Sequence, residues 1–140
     1  MLDHGDLAEW AEIYSYRYGT SKRVLERALS KGQDVILDID GQGARQIRRL
    51  GLPGIFIFIL PPSLGELRRR LSHRKTEAKK DMQQRIKKAK DEMAEARWYD
   101  YLIINNNLKK AKEQLKAIIL AEHCKRKRMA EILEIIISEK

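Results

Sequence analysis

Six apolar residues in a row, Ile55 to Leu60, stand between Gly54 and the pair Pro61-Pro62. A run this short, apolar throughout and bounded by chain-breaking residues, reads as a β-strand covered on both faces. Such strands belong to parallel sheets, whose neighbours are joined by helical crossovers. The flanking sequence meets that demand. Upstream, Asp34 to Asp40 reads as a strand, and a helix carrying Ala44, Ile47 and Leu50 follows before Gly51, Pro53 and Gly54 interrupt the chain. Downstream, Ser63 with Glu66 forms a capping box that opens a helix over Leu64 to Leu71. A long polar helix runs from about Lys79 to Arg97, with Met82, Ile86, Ala89 and Met93 on one face. "YLIIN" reads as a third strand, and Asn107 caps a helix containing Leu108, Ala111, Leu115 and Ile118. The expected class is α/β with parallel strands, in a single domain.

The two ends are less regular. Leu7 to Ile13 reads as a short helix and "YSYRYGTS" as a link. Ser21 or Thr20 can cap the next helix, whose stripe is Val24, Leu25, Ala28 and Leu29 and which Gly32 stops. The tail, "CKRKRMAEILEIIISEK", continues the preceding helix or starts another.

Lys and Arg number 29 against 20 Asp and Glu, a net charge of +9, so an anionic partner is expected: a nucleotide, nucleic acid or an acidic membrane. The basic run Lys125 to Arg128 has no interleaved aromatics, which ranks nucleic acid well below nucleotides. A single cysteine, Cys124, fits a reducing compartment. The opening residues do not read as a signal peptide, and no apolar run is long enough to span a bilayer. A cytoplasmic location without membrane partners is the expectation. His and Cys show no metal-ligand spacing, so the only metal expected is magnesium arriving with a nucleotide.

In α/β sheets, ligands collect outside the carboxyl ends of the strands. Asp38 and Asp40 lie at such an end in "VILDIDGQG". By position alone, ligand contact and helix cap are equally supported for them.

Four segments, in order, carry a resemblance. "EWAE…YRYGTS", "VILDIDGQGARQI", "LPPSLGELRRRLSHRKTE" and "YDYLIINNNLKKAKEQLKAII" together resemble the guanylate kinase family over nearly all the chain up to the basic tail. The resemblance implies a parallel-sheet, P-loop kinase-like fold and transfer of the γ-phosphoryl of ATP to GMP with Mg2+, giving ADP and GDP. It implies that Glu9, Thr20 and Asp38, with Asp40 beside them, read guanine, and that Tyr18 bonds the GMP phosphate. Arg70, Arg74 and Arg85 match the catalytic arginines of a mobile lid, Arg74 also serving ATP, and Asn105 matches an asparagine near the adenine. Lys75 follows Arg74 where the family usually has glycine, and Asn106 and Asn107 replace acidic residues. The implied division is 1–33 for the remainder of the GMP-binding region, 34–66 for core strands and helices, 67–97 for the lid, and 98–140 for the last strand, helix and basic tail.

The family's Walker loop, G-x-x-x-x-G-K-[ST], does not occur in the 140 residues. The expectation is therefore an N-terminally truncated fold without the loop's phosphate and Mg2+ ligands, and a chain with no turnover by itself. Self-association through an exposed sheet edge or the apolar tail "ILEIIIS" is expected as well. The alternative function is a catalytically dead interaction module. Retention of Glu9, Tyr18, Thr20, Asp38, Asp40, Arg70, Arg74 and Arg85 weighs against it.

Overall fold

The computed structural model describes residues 7–13, 16–72 and 79–139, with backbone only for 11–13, 16–18 and 79–81. Its contacts divide into two compact units, Met1–Phe56 and Ile57–Lys140.

The first unit opens with a hairpin. Strand β1 (Leu7–Ile13) pairs antiparallel with β2 (Tyr16–Ser21), with a register shift between Leu7 and Glu9. This corrects the reading of 7–13 as a helix and of the tyrosine-rich stretch as a link. A seven-residue helix has little intrinsic stability, whereas a ladder to a strand rich in tyrosine is a favourable alternative. Helix α1 (Lys22–Ser30) follows. Ser21 stands at its N-cap but makes no side-chain cap bond, and the Thr20 hydroxyl turns to Glu9 instead, so neither caps as expected. Gly32 does end the helix. At φ 70° its N–H bonds the Leu29 carbonyl at 2.9 Å, and Gln33 N–H bonds that of Ala28 at 3.1 Å. That pair of bonds requires a left-handed residue between them, which glycine adopts without a Cβ penalty.

Residues 33–40 form no strand, which corrects the expected strand over Asp34 to Asp40. The alternation is nevertheless used. Leu37 and Ile39 pack with Leu29, Leu52 and Phe56 around buried Ala8, Leu25 and Ile47. Among the described residues no strand pairs with this segment, so the apolar pattern is satisfied by packing without a ladder. Helix α2 (Gly41–Arg49) then packs against β1, burying Ala44 and Ile47.

In the second unit, β3 (Ile57–Leu60) pairs parallel with β4 (Tyr101–Ile104), in register Ile57 to Tyr101 through Leu60 to Ile104. Between them lie α3 (Leu64–Ser72), α4 (Lys79–Glu95) and a short 3-10 turn, Ala96–Trp98. The crossover is helical, as a parallel pair demands. Ser63 accepts the Glu66 N–H at 3.1 Å and so caps α3. Asn107 accepts the Lys110 N–H at 3.1 Å and caps α5 (Leu108–His123). The tail starts a separate helix, α6 (Arg126–Ser138). Ile103 is buried, but Ile59, Leu102 and Ile104 are 55–57% exposed, so the strands are not covered throughout as their composition had implied.

Candidate functional site

Glu9 is the first unusual residue of the hairpin. It is 5% exposed, although a carboxylate is costly to bury without donors. The register sets Glu9 opposite Thr20, and the Thr20 hydroxyl donates to Glu9 Oε1 at 2.7 Å. On the other side stands the first turn of α2. A Cβ placed on Gly43 would come within 2.8 Å of Glu9 Oε2, so glycine leaves the space the carboxylate occupies. The helix is tied to the strand by Gln46. Its Oε1 accepts the Trp10 N–H at 3.0 Å, and its Nε2 donates to the Trp10 carbonyl at 2.9 Å.

Asp40 sits at the N-cap of α2. Its Oδ1 accepts the N–H groups of Gln42 at 3.1 Å and Gly43 at 3.0 Å. Asp38, two residues earlier, is exposed. Of the two readings left open, Asp40 takes the cap and Asp38 keeps its carboxylate in solvent. The structure therefore brings Glu9, Thr20 and Gly43 together, with Asp40 at the same helix end. Tyr18 lies in β2 opposite Ala11, and its side chain is outside the described residues.

The second unit carries a separate arginine cluster. Glu66, on α3, accepts from Arg69 Nε at 2.7 Å and from Arg70 Nε at 2.7 Å. These two guanidinium groups hold its carboxyl at about 2, well below the ordinary 4.5. Arg70 reaches on to the Asn105 carbonyl at 2.9 Å, while Asn105 N–H bonds the Leu60 carbonyl at 2.8 Å. Arg70 and Asn105 thus meet at the carboxyl ends of the parallel strands. Arg85 is half-buried on α4. Arg74 lies outside the described residues.

Two organising residues escaped the sequence reading. Glu66 was legible only as a capping-box member, although its spacing to Arg69 and Arg70 is that of ion pairs on a helix. Glu122, 4% exposed, accepts the Tyr101 hydroxyl at 2.6 Å and pairs with Lys125 Nζ at 2.6 Å. Lys125 and Tyr101 together lower its carboxyl from the ordinary value. Nothing in the local sequence marks that glutamate as buried.

The guanylate kinase family model matches residues 1–122. The guanylate kinase of Geobacter sulfurreducens is 46% identical over 138 residues, which cover 99% of this chain and 68% of the relative. That of Geobacter metallireducens is 48% identical over 131 residues, covering 94% of this chain and 64% of the relative. The crystal structure of guanylate kinase from Anaplasma phagocytophilum superposes with a TM-score of 0.76 at 31% identity, covering 99% of this chain and 69% of that one. The chain thus spans roughly two thirds of the length of the proteins it matches.

Proposed function

The chain belongs to the guanylate kinase family of phosphotransferases, and from that premise we propose that it binds GMP and ATP for transfer of the γ-phosphoryl group of ATP to GMP, with no turnover by the 140 residues alone because they do not include the Walker loop. The products are ADP and GDP.

The observation that carries this reading is the buried Glu9 carboxylate, pinned by Thr20 and seated against Gly43. Guanine presents N1–H and N2–H as donors on one edge, and a carboxylate is acceptor-only. Each carboxylate offers about four lone-pair sites, so the Thr20 bond leaves acceptor capacity for the base. Adenine has an acceptor at N1 and would leave the carboxylate unpaired, which a polar site penalises strongly. Asp38 adds a second acceptor, and Tyr18 is assigned to the GMP phosphate. Arg70, Arg74 and Arg85 are assigned to charge stabilisation on the transferring phosphoryl group, where positioned guanidinium forks contribute most. Arg70 is already oriented by Glu66 and the Asn105 carbonyl, and Asn105 is assigned to the adenine side.

Magnesium, carried by the ATP phosphates, would neutralise charge there. Among the described residues no cluster of three or more His, Cys, Asp or Glu could hold a metal ion, so no ligand to it is assigned. No helix of the described residues is long and apolar enough to cross a membrane.

Calorimetric titration of the 140-residue chain with GMP and with AMP tests the reading. The expected result is binding of GMP at least tenfold tighter than of AMP. Equal affinities, or a preference for AMP, would overturn it.

A further inference from the structure

No residue assigned to a nucleotide lies on helix α6, and residues 123–140 lie beyond the segment that the family model matches, although the Geobacter sulfurreducens relative aligns over 138 residues. The start of α6 is tied locally to the end of α5. Lys125, at its N-cap, pairs with buried Glu122, which in turn accepts the Tyr101 hydroxyl. From that anchor the helix runs for 13 residues, about 20 Å, with no buried residue. Met129, Ile132, Leu133, Ile136 and Ile137 recur at the spacing of a single helical stripe, and all are 40–66% exposed. An apolar stripe this regular on an exposed helix calls for a partner.

The charges select which one. The entry to the helix is basic, Lys125 to Arg128, and its later part carries Glu131, Glu134 and Glu139. A second copy in parallel would stack like charges at both ends. A second copy in antiparallel orientation sets each basic end against the other copy's acidic half and also opposes the helix dipoles. We propose that α6 is a self-docking surface on which two copies of this chain pair through antiparallel C-terminal helices. Two helices of this length bury less than a standard interface of about 1,600 Å², so the pairing is weak and concentration-dependent.

Sedimentation equilibrium of the full 140-residue chain, from micromolar to millimolar concentration, tests this. The expected result is a monomer–dimer equilibrium weakened at least tenfold by Leu133→Lys with Ile136→Lys. Both positions are exposed, so the far-ultraviolet circular dichroism of that variant stays unchanged. Orientation is read with a short bismaleimide. Antiparallel pairing joins Cys124 of one copy to the introduced thiol of Glu139→Cys in the other, and leaves two wild-type Cys124 thiols about 22 Å apart along the helix and unlinked. A monomer at every concentration overturns the proposal, whether α6 stays bare or folds onto its own chain. So does a dimer that survives the double lysine variant, since another surface then carries it. Efficient wild-type linkage of Cys124 to Cys124 overturns the antiparallel arrangement.

Discussion

Asp38 and Asp40 are two residues apart and differ in what holds them. Asp40 accepts two backbone N–H groups at the start of α2, and Asp38 stays exposed. Asp40→Ala is expected to lower stability by about 1 kcal/mol through loss of the cap, seen as a reduced urea midpoint. Asp38→Ala is expected to leave stability within about 0.5 kcal/mol but to weaken GMP binding about tenfold by calorimetry. Gly43→Ala tests the neighbouring contact, because the new methyl would stand 2.8 Å from Glu9 Oε2 and 3.2 Å from Ile39 Cβ. Its expected effect is a loss of GMP affinity of about tenfold or more through displacement of the carboxylate. At Gly54 the added methyl would meet nothing closer than 3.9 Å, and Gly54→Ala should leave affinity unchanged. The cap at Asp40 was half legible, since strand position supported contact and cap equally. Glu9 by itself was not legible: a glutamate in "LAEWAEI" reads as a solvated helix residue until the hairpin sets it opposite Thr20.

Among the elements, α3 makes the clearest pH statement. Glu66 has a folded pKa of about 2 against an ordinary 4.5, with Arg69 and Arg70 as the causes. A depressed carboxylate contributes stability that is complete above its unfolded value and is lost as the pH falls toward the folded one. Urea midpoints measured between pH about 5 and 2 should therefore fall more steeply for the wild type than for Glu66→Gln. Identical slopes would remove the arginine cluster as a source of acid sensitivity. The capping signals of α3 and α5 were readable because they are local, three residues from cap to bonded N–H. β1 was not readable. Its apolar spacing over seven residues suits a helix, and only the partner strand β2 decides against it. The segment 33–40 failed in the opposite sense: it has a strand's alternation but no described partner.

For the molecule as a whole, the order of four segments along the chain pointed to the family more firmly than any one element, and the match over residues 1–122 confirms it. Parallel pairing of β3 with β4 followed from their composition and the helices between them. The long-range ties, Arg70 to the Asn105 carbonyl and Tyr101 to Glu122, join residues that meet only after folding and so left no local mark. In the proposed function a buried glutamate reads the guanine edge. Inosine monophosphate lacks only the 2-amino donor of GMP, so titrating both nucleotides into wild type and Glu9→Gln isolates that contact. Wild type is expected to prefer GMP by about tenfold or more, and Glu9→Gln to lose most of that preference with its circular dichroism unchanged. An undiminished preference in a folded Glu9→Gln variant would contradict that reading.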